Sequence, residues 1–117
     1  MVGKTIVILG GGFGGLVAVQ QLRRMLPPEH RVVVVERHNT FSLSPFNMRF
    51  MVGEIKDRRE VERPLSELAS KGIEWVHDEI LEVDPSARKV RTSSGTLEGD
   101  YLIIALGAEK DGSSIPG

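Results

Sequence analysis

The sequence predicts an α/β fold: a parallel sheet built on a Rossmann-like βαβ unit, followed by a small antiparallel β-meander. Three observations carry this reading. A continuous apolar run, Thr5 to Leu9, breaks at a cluster of glycines, and apolar residues at helical spacing begin inside that cluster. A second β-branched run, Arg31 to Glu36, follows about one helix length later. Further on, short strand patterns separated by the turn signals DPSA and SSG precede a last apolar run, Asp100 to Leu106.

Thr5–Leu9 is apolar throughout and does not alternate, as a parallel strand buried on both faces requires. Leu16, Val19, Leu22, Met25 and Leu26 form the inner stripe of the helix, with Gln20, Gln21, Arg23 and Arg24 on its outer face and Pro27 and Pro28 as its stop. The helix crosses over to Arg31–Glu36, which rejoins the sheet with the usual right-handed sense. From Arg37 to Gly53 no period survives, although three of the four phenylalanines fall there, and a loop with a short helix folded over something is expected. Glu54 to Arg63 is charged and expected to be solvated. Pro64 stands where a helix can start, Leu65, Leu68 and Ala69 make its apolar stripe, and Gly72 caps it. Ile73–His77 is a third strand candidate. The meander takes Glu79–Val83, Lys89–Thr92 and Thr96–Leu97, and Gly107 closes the final strand.

At 117 residues the chain accommodates one domain with a modest core. Fifteen basic and sixteen acidic side chains leave a formal net charge of -1 with no long block of one sign, so no nucleic-acid arm or polybasic membrane patch is present. The chain has no cysteine, which excludes disulfides, thiolate metal sites and dithiol relays within these residues. His30, His38 and His77 are scattered without ligand spacing, and no metal site is expected. No Ser, His and Asp constellation is recognisable, so no catalytic residue is assigned. The N-terminal apolar run is too short for a signal-peptide core or a membrane span, and a cytoplasmic location is expected.

The glycines fall as G-x-G-x-x-G at Gly10, Gly12 and Gly15, between a buried strand and a helix, and Glu36 ends the next strand 26 positions after Gly10. That arrangement is a dinucleotide-binding fingerprint. Gly10 permits the tight turn out of the strand, Gly12 lets the main chain approach a pyrophosphate, and Gly15 lets the helix lie close to the strand. The helix N-terminus supplies free N–H groups and a positive dipole end. Glu36 is placed to accept both ribose hydroxyls and to repel a 2′-phosphate, which disfavours NADP. The bland alternatives are a merely glycine-rich turn and a surface glutamate. Arg37 either lies across the adenine or faces water. These first fifty residues suit FAD and NAD equally. The inserted meander and the second glycine turn, Ala105-Leu106-Gly107, favour FAD over a simple NAD-binding fold.

The stretches GGGFGG, VVVVER, LSPFNMRFMVG, the I-x-x-V-D of Ile80 to Asp84, and TSSGTLEGDYLIIALGA resemble the N-terminal FAD-binding segment of the two-dinucleotide-binding-domain flavoproteins. Within that group the chain is most similar to sulfide:quinone oxidoreductases, the flavoprotein subunit of flavocytochrome c sulfide dehydrogenase, and type II NADH dehydrogenases. The resemblance covers Lys4 to about Ala108. It implies that Gly12, Phe13, Gly14 and Gly15 hold the pyrophosphate and Glu36 the ribose. It also implies that Ser44 and Pro45 sit near the flavin, that Ile80 meets the adenine through its backbone, and that Ala105, Leu106 and Gly107 border the cofactor again. Where the family has ATG, this chain has Leu106 in place of the hydroxyl. The CxxxxC pair of the disulfide reductases is absent, so that subclass is excluded.

By this resemblance residues 1–108 are an FAD-binding domain and 109–117 a polar, poorly ordered tail, together an incomplete fragment of a longer enzyme. The implied activity is flavin-dependent electron transfer from sulfide or NADH to a quinone-type or other acceptor, with membrane contact only through regions outside these residues. A non-catalytic nucleotide-binding or homodimerising module is the rival reading, and an NAD-only domain a third. Pro45, Phe46, Met48 and Phe50 either wall the flavin or a quinone channel, or form a satellite core beneath a loop.

Overall fold

A computed structural model describes residues 3–42, 53 and 62–107. Its main sheet has four parallel strands in the order β5-β2-β1-β9, built from β1 (Thr5–Leu9), β2 (Arg31–Val35), β5 (Glu74–Val76) and β9 (Tyr101–Ile104). Helix α1 (Phe13–Met25) makes the crossover from β1 to β2. A second sheet, β6 (Ile80–Asp84), β7 (Lys89–Thr92) and β8 (Gly95–Glu98), is the antiparallel meander. The α/β architecture agrees with the sequence reading.

The unbroken apolar runs are explained by what covers each face of the sheet. Ile6 and Ile8 of β1 and Val32 and Val34 of β2 pack with Leu16 and Val19 of α1 and with Leu65, Leu68 and Ile73. On the other face Val7, Leu9 and Val35 meet Val90 of the meander, with Val83 and Leu97 beside it. Neither face of β1 can therefore be polar. Each fully buried valine or leucine here contributes on the order of 2 kcal/mol.

Several expectations are corrected. Met25, which the helical spacing puts in the inner stripe of α1, is 75% exposed. Steps of three residues drift around a helix, and by Met25 they have carried the stripe about 180° from Leu16, so Leu26 takes over the inner side. Arg23, assigned to the outer face, folds back instead. Its guanidinium donates to the carbonyls of His30 and Pro27, each at 2.7 Å, and to that of Leu26 at 3.3 Å, filling acceptors left over at the helix end.

The helix expected after Pro64 is a 3-10 helix, Leu65–Lys71. With three residues per turn it stacks Leu65 over Leu68 and leaves Ala69 exposed, so the stripe has two members rather than three. Gly72 caps it in the left-handed region, at φ 78°, where a side chain would be strained. Pro64 itself closes a strand, β4 (Glu62–Pro64), which pairs with β3 (Thr40–Ser42). The backbone of Glu62 and Arg63 thus belongs to a strand, and Arg63 is exposed, as expected of the charged run it ends. A three-residue strand offers a single alternation, too little for a period to register. Phe41 of β3 is half-buried against the α1-side core. Ser44, Pro45, Phe46, Met48, Phe50 and the tail 109–117 lie outside the described residues.

No described helix is long and apolar enough to cross a membrane.

Candidate functional site

The register of the sheet fixes where a site can form. Leu9 is level with Val35 on one side and with Ile104 on the other, so β1, β2 and β9 end together. The chain leaves β1 toward β2 on one side, whereas β9 arrives on the other from late in the sequence, which makes this edge a topological switch point.

Immediately beyond Leu9, Gly10 adopts φ 103° and donates its N–H to the Val35 carbonyl at 2.9 Å. A Cβ on Gly10 would stand 2.3 Å from the Ala105 carbonyl oxygen, so the turn after β1 and the turn after β9 touch through a glycine. A Cβ on Gly15 would lie 1.8 Å from the Gly10 carbonyl oxygen, which is how closely α1 is pressed on its own turn. Gly12 is different, since a Cβ there would meet nothing within 4 Å. Gly14 has only the Ala105 methyl at 3.9 Å, an ordinary contact. Gly12 is the N-cap of α1, no side chain caps the helix, and its first turn holds no acidic residue. The helix thus supplies no side-chain acceptor or acidic residue of its own to its first-turn N–H groups and the positive end of its dipole.

Glu36 follows β2. Its Oε1 accepts the Gly11 N–H at 2.8 Å, and its Oε2 accepts the His38 N–H at 3.0 Å and the His38 ring Nδ1–H at 2.9 Å. Half-burial pushes this carboxyl up, but the His38 and Gly11 amides and the His38 ring together outweigh it, and the group titrates below the ordinary glutamate value. A Cβ on Gly11 would come within 2.9 Å of the Glu36 Cβ and Cγ, so Gly11 is shaped by the carboxylate. From below, the Trp75 indole N–H donates to the Glu36 carbonyl at 3.1 Å, and the ring Nε2 of His77 to that of Arg37 at 2.9 Å, with the two rings stacked 4.5 Å apart.

Beside Gly10 and Glu36 opens a cleft of about 470 Å³, within the usual size of a cofactor site, whose lining does not include Gly12, Gly14 or Gly15. Of the sequence-predicted residues, Gly10, Glu36, Arg37, Ile80, Leu106 and Gly107 line it. Val35, His38, Asp78 and Glu79 line it too, without having been singled out. Glu79 faces Arg37 across 3.8 Å. Asp78 accepts from the hydroxyls of Ser94 and of Thr92, the latter at 2.9 Å, and these bonds hold its carboxyl below the usual aspartate range. Ala105 is half-buried and bonded to Leu9 through its N–H at 2.8 Å. The Phe13 side chain is elsewhere, in a separate hollow of about 310 Å³ with Val17, Phe41 and Pro64. Only its backbone belongs to the helix N-terminus.

Residues 4–117 match the family described as pyridine nucleotide-disulphide oxidoreductase. This chain belongs to that family. A sulfide-quinone reductase of Aquifex aeolicus is 32% identical over 106 residues, covering 89% of this chain and 24% of that relative. A mitochondrial external NADH-ubiquinone oxidoreductase of Saccharomyces cerevisiae is 31% identical over 124 residues, covering 97% of this chain and 22% of the relative. The crystal structure of the Aquifex aeolicus sulfide:quinone oxidoreductase superposes with a TM-score of 0.83 at 30% identity, over 91% of this chain and 25% of that one. The chain spans about a quarter of the length of these pyridine nucleotide-disulphide oxidoreductase relatives. Their names bear out the resemblance to sulfide:quinone and NADH:quinone enzymes read from the sequence. The disulphide chemistry of the family's name has no seat in these 117 residues, which contain no cysteine.

Proposed function

We propose that this chain is the adenosine- and pyrophosphate-binding part of an FAD-dependent oxidoreductase, one that takes electrons from sulfide or NADH and passes them to a quinone-type acceptor. The observation that carries the reading is Glu36, held ionised at the switch point of the sheet by the Gly11 amide at 2.8 Å and by His38. A carboxylate there suits a ribose diol. Asp78 adds a second negative charge to the cleft lining while Glu79 and Arg37 offset each other, which argues against a 2′-phosphate.

The residues fit the cofactor in other respects. Gly12 leaves room for a pyrophosphate beside the uncapped start of α1, and Phe13, Gly14 and Gly15 present backbone N–H groups to it. Ile80, at the mouth of the meander, borders the adenine end, and Leu106 and Gly107 the far side. Ser44 and Pro45 retain the flavin-side role that the resemblance implies. When bound, the isoalloxazine supplies the two-electron chemistry; these residues bind and orient the adenosine half. Donor and acceptor are inferred from the names of the relatives, among them a sulfide-quinone reductase and an NADH-ubiquinone oxidoreductase.

Calorimetric titration of the purified chain with FAD, ADP and NADH tests the proposal. FAD and ADP should bind, with FAD preferred over NADH; preference for NADH would favour an NAD-only domain, and no binding of any of the three would refute the site. A self-associating, non-catalytic module is the second reading, favoured by the exposure of Tyr101, Ile104 and Leu106 at the open edge of the sheet. Gel filtration combined with turnover of an artificial electron acceptor separates the two.

A further inference from the structure

Glu36 is asked to hold a vicinal diol, yet its acceptor positions are already in use. A carboxylate offers about four lone-pair directions. Three are taken: Oε1 by the Gly11 N–H, and Oε2 by both the backbone N–H and the ring Nδ1–H of His38. A ribose brings two hydroxyl donors, and one position remains for them. One of the three donors must leave when the ribose arrives. The Gly11 amide is held by the turn that fixes Gly10 on Val35, and the His38 amide by the chain leaving β2. The imidazole can leave by side-chain rotation alone, since its side chain is 62% exposed while that of Glu36 is 16% exposed.

From this geometry we propose that the His38 imidazole is a placeholder for a ribose hydroxyl on Glu36 Oε2, and that its displacement sets how strongly the site prefers a ribose over a deoxyribose. The inference rests on the adenosine-site reading above. In the free protein the ring completes the coordination of a half-buried carboxylate. A ligand with both hydroxyls must break that bond, whereas a ligand with the 3′-hydroxyl alone fits the remaining position and leaves the ring where it is. His38 is thus a specificity residue that acts against the diol, and the wild-type preference for ribose is smaller than Glu36 alone would give.

Calorimetric titrations of ADP and 2′-deoxy-ADP into wild type, His38→Ala and His38→Asn test this. His38→Ala should bind ADP roughly two- to tenfold more tightly, the equivalent of one net hydrogen bond, with 2′-deoxy-ADP unchanged. His38→Asn, which keeps a donor near the Nδ1 position, should stay close to wild type. In the wild-type protein the His38 ring ¹⁵N resonances should show the Nδ1–H form when free and should change on saturation with ADP but not with 2′-deoxy-ADP. A His38→Ala variant that binds ADP no better than wild type, or ring resonances indifferent to ADP, overturns the placeholder while leaving the site reading intact. A His38→Ala chain that binds ADP and 2′-deoxy-ADP equally, with no ring in the way of the diol, overturns the role of Glu36, and this inference with it.

Discussion

Replacing Glu36 by glutamine keeps the shape of the side chain and removes its charge, so it isolates what the carboxylate does. Hydrogen bonds to a charged acceptor are worth about 1.5–3 kcal/mol and neutral ones about 0.5–1.5, a difference of about 1 kcal/mol per bond. Two ribose hydroxyls are gained and the His38 ring bond is given up, so the expected net loss is about 1 kcal/mol, or roughly a fivefold weaker Kd for ADP. The same substitution removes the negative charge that a 2′-phosphate would face, so the preference for ADP over 2′,5′-ADP should shrink by roughly tenfold or more. Titration calorimetry with both nucleotides measures the two effects in one experiment. The side-chain amide can still accept the Gly11 N–H through its oxygen, so the turn is kept and a collapse of the fold is not expected. A Glu36→Gln chain that binds ADP within twofold of wild type would show that the carboxylate does not hold the ribose.

The pH dependence of stability follows from the same residue. The folded Glu36 carboxyl lies below its ordinary value of 4.5: burial raises it, and the His38 and Gly11 amides with the His38 ring more than offset that. A depressed carboxyl stabilises the fold above its unfolded pKa and loses that contribution as pH falls through the folded one. The stability gap between wild type and Glu36→Gln in urea unfolding should therefore be full at pH 7, begin to close near pH 4.5 and vanish below the folded pKa. Gly15→Ala and Gly12→Ala should part company. The first puts a Cβ 1.8 Å from the Gly10 carbonyl oxygen and should cost about 3 kcal/mol or prevent folding, while the second meets nothing within 4 Å and should fold with FAD binding weakened, as thermal melts and titration would report. Asp100→Ala removes the carboxylate that accepts the Thr5 N–H at 2.7 Å and should lower unfolding free energy by about 1 kcal/mol. Arg23→Ala removes the guanidinium that donates to the carbonyls of Leu26, Pro27 and His30, of which Pro27 keeps the His30 N–H, and should cost about 1–2 kcal/mol in the same assay.

The parts of the fold that were readable are those where one physical demand dominates a run of residues. Thr5–Leu9 and Arg31–Val35 must be apolar on both faces, and their bounds emerge within a residue of the expected ones. The meander was legible because DPSA and SSG are turn chemistry between short β-branched runs. What escaped was local geometry beneath the resolution of a pattern: the β3–β4 pair, three residues a side, and the 3-10 winding of Leu65–Lys71, which the same leucines would have allowed as an α-helix. In the site, Gly10 and Glu36 announced themselves through spacing. His38, Asp78 and Glu79 did not, because nothing in a single sequence marks a residue two places past a strand as turning back onto it. Gly11 was hidden in plain view among its neighbours, although a glycine directly before Gly12 with an acid 25 residues on is the signal that could have found it.

The meander does two jobs with one short stretch of chain. Through Val90 it is the lid of the sheet's second face, and through Asp78, Glu79 and Ile80 it is a wall of the cleft. A nucleotide spanning from Gly10 to Ile80 therefore adds to the apolar contacts and the Arg37–Glu79 pair that already join these two segments. Local opening of β6–β8 would have to break the ligand's grip as well as uncover Val7 and Leu9. Amide exchange in the meander, far from the glycine turn in sequence, then becomes a gauge of occupancy at that turn: saturating ligand should slow exchange along β7, where Val90 sits, by the factor with which the cofactor stabilises the closed form.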